Sequence, residues 1–92
     1  MVNINLQGRM TMKKNKEYNG FKSYSFWNIS LWINNDSELY YLAIESINKY
    51  KNVKDSTIYF FDNLSQCYTP DNVLWTKSGI YNALINLKKE SI

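Results

Sequence analysis

The sequence predicts an all-α protein: a compact bundle of about four short helices that follows a flexible basic N-terminal arm. Two observations support this fold class. Apolar residues recur every three or four positions in four successive segments, and a polar residue suited to helix capping precedes each segment. A chain of 92 residues with 45% hydrophobic content also suits one domain with one core. We therefore expect an arm at residues 1–17 and a single helical domain at residues 18–92.

The first predicted helix covers residues 26–34 and is dense in bulky apolar side chains. Ser23 and Ser25 are both suitable N-caps for this helix. Because the segment is apolar on nearly all sides, we expect it to occupy the centre of the bundle. The side chains predicted to anchor the core are Trp27, Leu31 and Trp32.

Two further helices are predicted in the middle of the chain. The second covers residues 37–51 and opens with a capping box that begins at Asn35 and has a carboxylate three residues later. The third covers residues 57–68, with Asp55 or Ser56 as its cap, although part of this run also has the composition of a strand. Short links between helices favour antiparallel neighbours in such a bundle.

The C-terminal part is predicted to contain one short helical turn and the last helix. Pro70 suits the first helical position of a turn at residues 69–75, because an N–H group has no helical partner there. Ser78 is the predicted cap of the last helix, residues 79–90, which ends in lysines that favour the helix dipole. The single cysteine, Cys67, is expected near the end of the third helix as a small buried residue.

The net charge of +3 is concentrated near the N-terminus. Residues 9–22 hold five cations and one acid, a net charge of +4, whereas residues 23–92 hold six lysines and seven acids, a net charge of −1. Basic groups beside aromatic rings are typical of nucleic-acid contacts, so one hypothesis is a small nucleic-acid-binding protein that uses this arm. The alternative is a solvated tail that keeps the protein soluble. The candidate nucleic-acid contacts are Arg9, Lys13, Lys14, Lys16 and Lys22.

The composition argues against several kinds of chemistry. Histidine is absent, which removes the commonest general base and the commonest metal ligand. The three glycines form no phosphate-binding motif, and a single cysteine forms no intrachain disulfide. We therefore predict no catalytic residue, no metal and no cofactor, and an enzyme is the least favoured hypothesis. No apolar run is long enough for a membrane span and no signal-peptide core is evident, so we expect a cytoplasmic protein.

Tyrosine is abundant, with eight residues in a chain of 92. Adjacent tyrosines on one helix cannot both face the core, and two more fall outside the predicted apolar stripes. Exposed aromatic side chains are typical of protein–protein interfaces, where they dominate the binding energy. A core too small to enclose all of its rings is the alternative interpretation. The candidate partner-binding residues are Tyr40, Tyr41, Tyr59 and Tyr81.

Residues 19–36 resemble a family of short, mostly uncharacterised proteins of bacteriophages and mobile elements. The shared pattern is N-G-aromatic followed by W-N-[VI]-x-L-W-[IL]-x-N-[DE], and it is found here at residues 19–21 and 27–36. Within this pattern Asn28 is the polar residue on an otherwise apolar helix. We expect its amide to hydrogen-bond a backbone group or a neighbouring side chain.

The resemblance implies an origin rather than an activity. Small phage proteins without catalytic residues often bind and block a host protein, which is an argument by association. The first functional hypothesis is therefore a non-enzymatic protein-binding module, a phage-encoded inhibitor or modulator of a host defence complex of the anti-CRISPR or anti-restriction type. It would act by steric occlusion of a host or defence-system protein in the infected bacterium. The oligomeric state stays open at this point.

Overall fold

A computed structural model describes residues 23–90 of the chain. These residues form four α-helices: α1 (Tyr24–Asn35), α2 (Ser37–Lys49), α3 (Val53–Asp62) and α4 (Lys77–Glu90). The predicted all-α bundle is thereby confirmed. Helices α1 and α3 each pack against both α2 and α4, so the helices enclose one core. The predicted arm at residues 1–17 and the first five residues of the predicted domain lie outside the described residues.

Helices α1 and α2 each start at a side chain that accepts hydrogen bonds from N–H groups of the first helical turn. Ser23, one of the two predicted caps, accepts a hydrogen bond from the Phe26 N–H at 3.3 Å. Asp36 caps α2, and its Oδ1 accepts two successive N–H groups at 3.0 and 3.1 Å. The predicted cap, Asn35, was wrong because that residue still belongs to α1. Helix α2 ends at Lys49, two residues before its predicted end.

Helix α3 begins and ends earlier than predicted. Asn52 Oδ1 accepts the Asp55 N–H at 2.9 Å, so the helix starts at Val53 rather than at residue 57. At the other end it stops at Asp62 rather than at residue 68, and the side-chain amide of Asn63 donates to a carbonyl of the last turn at 2.8 Å. At each end of α3 an asparagine side chain bonds a backbone group, and such bonds favour a helix end over a longer helix. The apolar spacing alone does not show where these ends lie.

The core is formed by aliphatic side chains of α1 and α4 together with Ala43 of α2, Phe60 of α3 and the ring of Trp75. The largest fully buried apolar side chains are Ile29, Ile33, Phe60, Ile80 and Leu84, each with 0% exposure. The predicted anchors are displaced from this centre, since Trp27, Leu31 and Trp32 are only half-buried. Of these three, Trp32 packs against the core cluster. The buried tryptophan is Trp75, which lies outside the helices and contacts the ring of Phe60.

Helix α4 approaches α1 closely at a glycine. Its cap is Thr76 rather than the predicted Ser78, because Thr76 Oγ1 accepts the Gly79 N–H at 3.1 Å. A Cβ atom at Gly79 would lie 2.5 Å from Ile29 Cδ1 and 3.1 Å from Thr76 Oγ1. Close packing of α4 on α1 therefore favours glycine at this position, whereas the backbone conformation does not.

This contact predicts a strongly non-additive pair of substitutions. Gly79→Ala alone should lower the free energy of unfolding by about 1–2 kcal/mol, because the overlap with Ile29 outweighs a gain in helix propensity of about 1 kcal/mol. Ile29→Val removes the Cδ1 atom that the new methyl group would meet. In the Ile29→Val background, Gly79→Ala should therefore be neutral or stabilising in urea denaturation.

The Ile33→Val background is the matched control for this cycle, because Ile33 is equally buried on α1 but is not among the closest neighbours of Gly79. There Gly79→Ala should remain destabilising. An equal cost of Gly79→Ala in all three backgrounds would show that the close approach does not limit packing.

Candidate functional site

Between α3 and α4 the chain forms a small antiparallel hairpin at residues 67–75. Thr69 N–H donates to the Val73 carbonyl at 2.7 Å, and Trp75 N–H donates to the Cys67 carbonyl at 3.0 Å. At the tip, Asn72 N–H donates to the Thr69 carbonyl at 2.8 Å, and Asn72 has a φ of 68°. These are the bonds of a β-turn with proline in its second position, followed by a left-handed residue. The helical turn predicted for residues 69–75 was therefore wrong.

Asn28 holds this hairpin against α1. The side chain is fully buried, its Oδ1 accepts the Thr69 hydroxyl at 2.8 Å, and its Nδ2 donates to Asp71 Oδ2 at 2.8 Å. The same carboxylate oxygen accepts the indole N–H of Trp32 at 2.9 Å. Asn28 and Trp32 are one helical turn apart, so both donors reach the hairpin from the same side of α1. Asn28 thus bonds neighbouring side chains, as expected. The polar groups of the W-N…W pattern attach the hairpin, which is distant in the sequence, to α1.

The carboxylate of Asp71 is stabilised by neutral donors rather than by a cation. The hydrogen bond from Asn28, and after it the bond from Trp32, lowers the pKa of Asp71 below its ordinary value. Asp71 itself is exposed at the hairpin tip. The charge therefore strengthens the attachment of the hairpin at neutral pH, while the carboxylate stays in contact with water.

The opposite side of the hairpin presents apolar side chains to solvent. Tyr68 and Leu74 form an isolated antiparallel bridge across the hairpin and are 52% and 51% exposed. Cys67 beside them is exposed too, so the expectation of a buried cysteine was wrong. Its position in a hairpin rather than on the inner side of a helix explains this exposure. We call the surface formed by Tyr68 and Leu74 the hairpin face.

Two clefts flank the hairpin face. The first has a volume of about 290 Å³; Leu39, Leu42 and Tyr68 contribute apolar lining, and Asp36 and Glu38 contribute carboxylates. The second has a volume of about 240 Å³ and lies against Cys67 and Leu74. Both volumes are at or below the lower end of small-molecule sites, so each cleft suits a partner's side chain better than a whole ligand.

The four tyrosines predicted to bind a partner are distributed over three helices. Tyr40 and Tyr41 on α2 are 43% and 78% exposed, and Tyr81 on α4 is 42% exposed. The hydroxyl of Tyr59 instead donates to Glu45 Oε2 at 3.0 Å, and this bond raises the pKa of Tyr59. The two clefts beside the hairpin face are lined by none of these four tyrosines, and Tyr81 lines a separate groove with residues of α3 and α4.

Tyr68 and Leu74 were not recognised as surface candidates from the sequence. A signal for them was present, because Thr-Pro-Asp-Asn at residues 69–72 is a turn sequence with short apolar runs on both sides. Proline suits the first turn of a helix as well as a β-turn, and the apolar stripe of α3 seemed to continue through Tyr68. Those two ambiguities concealed the hairpin.

The other predictions concern residues that lie only partly within the described range, 23–90. All five candidate nucleic-acid contacts, at positions 9, 13, 14, 16 and 22, lie outside the described residues. Within residues 23–90, no three Cys, Asp or Glu side chains are grouped closely enough to hold a metal ion. No helix in this part of the chain combines the length and the apolar character that a membrane span requires.

Comparison with known proteins places the chain in a family. It belongs to the family of unknown function DUF7249, whose model matches residues 14–91. The match begins upstream of α1, so the unit shared by the family includes the segment that precedes the first helix. No curated protein and no solved structure is significantly similar to the chain.

Proposed function

We propose that this DUF7249 protein is a non-enzymatic protein-binding module that blocks its partner sterically through the hairpin face. The observation that supports the proposal most strongly is a contrast within one loop. The inner side of the hairpin is held by Asn28 through a buried polar network, whereas Tyr68 and Leu74 on its outer side are about half exposed.

The energetics of this arrangement favour recognition. Exposed apolar side chains contribute little to the stability of an isolated domain, but their burial by a partner is favourable. A hairpin already fixed by hydrogen bonds loses little conformational entropy on binding, so more of the contact energy appears as affinity. Tyrosine is among the residues that dominate interface energies, and the two flanking clefts can receive side chains of the partner.

The identity of the partner is proposed from the sequence resemblance. We infer an origin in a bacteriophage or mobile element and a partner among host or defence-system proteins, such as a CRISPR or restriction effector. Tyr40 and Tyr41 follow directly on Leu39, which lines the first cleft, and we propose that their exposed rings extend the contact along α2.

The proposal predicts that Tyr68→Ala/Leu74→Ala weakens partner binding without unfolding the protein. Loss of two central contacts should raise the dissociation constant by at least about 30-fold, since a hot-spot residue contributes about 2 kcal/mol or more. The partner would first be captured with the tagged full-length protein from its natural host. Binding of the purified pair would then be measured by calorimetry, with thermal unfolding as the check on folding.

Ile58→Ala/Tyr81→Ala is the matched control, because these side chains are 44% and 42% exposed on a different surface. The control should keep nearly the wild-type affinity. If the control weakens binding and the hairpin variant does not, the binding surface lies on α3 and α4 and the hairpin proposal fails.

Nucleic-acid binding by the basic arm is retained as the second candidate because five cations fall within residues 9–22. It predicts binding that decreases steeply with salt and is lost when Lys13, Lys14 and Lys16 are replaced by glutamine. The hairpin variant would leave that binding unchanged, so the two candidates give opposite results with the same set of proteins.

A further inference from the structure

The first cleft beside the hairpin face combines apolar lining with two carboxylates. Leu39 and Leu42 of α2 line it together with Trp75, which belongs to the core. Asp36 and Glu38, at the start of α2, supply the charges, and no lysine lines the cleft. The groove between α3 and α4 has the opposite character, because two lysines and no acid line it. The cleft is therefore a negatively charged surface with an apolar part.

The two carboxylates of this cleft are only partly used within the fold. Asp36 caps α2 through Oδ1, which accepts the N–H groups of Glu38 and Leu39 at 3.0 and 3.1 Å. Within residues 23–90, the other oxygen of Asp36 and the carboxylate of Glu38 accept no hydrogen bond. Acceptors and negative charge that are left open beside an interaction surface favour a cationic partner.

The size and lining of the cleft favour an arginine side chain as its occupant. A volume of about 290 Å³ suits a single side chain. The methylene stem of arginine can pack on apolar surface, while its planar and weakly hydrated guanidinium donates to carboxylates. Tyr68, whose ring is 52% exposed, also lines the cleft, and a guanidinium can stack on such a ring. The ammonium group of lysine is more strongly hydrated and lacks this planar shape.

We propose that this cleft binds one arginine side chain of the partner protein, with the stem against Leu39 and Leu42 and the guanidinium at Asp36 and Glu38. The inference rests on the proposed function, because it assigns a chemistry to the partner that the hairpin face contacts. Tyr68 belongs both to the hairpin face and to the lining of the cleft. The arginine of the partner should therefore lie next to the apolar patch that covers this face.

Amino-acid probes test the cleft in the full-length protein without the partner. In an NMR titration, Nα-acetylarginine amide should cause saturable shifts of the Leu39 amide and of the Trp75 indole N–H. Nα-acetylcitrulline amide is the matched probe, because it has nearly the same shape and no charge. Its dissociation constant should be at least about threefold higher, as expected for the loss of an ion pair at an exposed site.

Glu38→Gln tests which carboxylate selects the arginine, and it leaves the capping residue Asp36 intact. This variant should bind the arginine probe more weakly and the citrulline probe unchanged. Glu90→Gln is the matched control, because it removes the same charge from a groove between α1 and α4 and should keep the preference for arginine. Equal affinities for the two probes, or an arginine affinity that Glu38→Gln does not change, would overturn the arginine site. Equal binding of Nα-acetyllysine amide would also overturn it, because the surface would then not select a guanidinium.

Binding of the captured partner distinguishes failure of this inference from failure of the proposed function. If Tyr68→Ala/Leu74→Ala weakens partner binding but the cleft shows no preference for the arginine probe, the arginine site alone is wrong. If the cleft prefers the arginine probe but the hairpin variant binds the partner with wild-type affinity, the proposed function is wrong and the arginine site remains. Glu38→Gln should also raise the dissociation constant of the partner at least about threefold, whereas Glu90→Gln should not.

Discussion

Replacing Trp75 by alanine is expected to lower the free energy of unfolding by about 3–5 kcal/mol, the usual cost of removing a large buried aromatic side chain. Trp75 is 5% exposed, and its ring centroid lies 6.0 Å from that of Phe60, which is fully buried. Few side chains can fill the resulting cavity, because the core consists of close-packed helices around one aromatic pair. A small domain has a total stability of only about 5–15 kcal/mol, so this variant should be close to unfolding.

Trp27→Ala is the matched comparison, because it removes a tryptophan that lies outside the core cluster. Trp27 is half-buried and lines a groove between α1 and the end of α4, and it does not belong to the core cluster. Its removal should therefore have a clearly smaller effect than removal of Trp75. Both free energies would be measured by urea denaturation with circular dichroism. An equal or larger cost for Trp27 would restore the original prediction that α1 supplies the anchoring indoles.

Helix positions were predictable to the extent that their signals are local. Ser23 caps α1 and the apolar spacing marks α2, because both patterns act within one or two turns of the chain. The ends of α3 were missed although their signals are also local. Asn52 and Asn63 each bond a backbone group close to them in the chain. The apolar spacing, however, continues through Leu64 and Tyr68, so spacing alone favours a helix that ends later.

The candidate site was much less predictable, because it depends on contacts between distant positions. Asn28 and Asp71 are 43 residues apart in the chain, and nothing in either neighbourhood specifies the other. An asparagine on an apolar helix indicates that a partner exists but does not identify it. Exposure of Tyr68 and Leu74 follows only after the hairpin is docked, since docking decides which side of the loop faces water.

Asn28→Ala tests this docking and is expected to lower the free energy of unfolding by about 2–6 kcal/mol. The change leaves the buried Thr69 hydroxyl without its acceptor and creates a small cavity, each of which carries a cost of about 1–3 kcal/mol. Asn48→Ala is the matched control, because Asn48 is exposed on α2 and its removal should change stability by less than about 0.5 kcal/mol. Hydrogen exchange should also accelerate at the Thr69 and Trp75 amides in Asn28→Ala only, since these amides form the hairpin ladder.

The protonation of Asp71 gives the same variant a second, independent signature. In the folded protein the Asn28 bond is the main cause of the lowered pKa, so Asn28→Ala should move the pKa of Asp71 upward toward its ordinary value. A lowered pKa in the folded state means that the carboxylate stabilises the fold at pH values above the unfolded pKa, about 3.9, and that this contribution is lost as the pH falls through the folded value. NMR titration of the Asp71 carboxyl group should show the upward shift in Asn28→Ala and no change in Asn48→Ala. An unchanged titration would mean that Asn28 stabilises the core without holding the hairpin, and the rigid outer surface inferred from it would lose its basis.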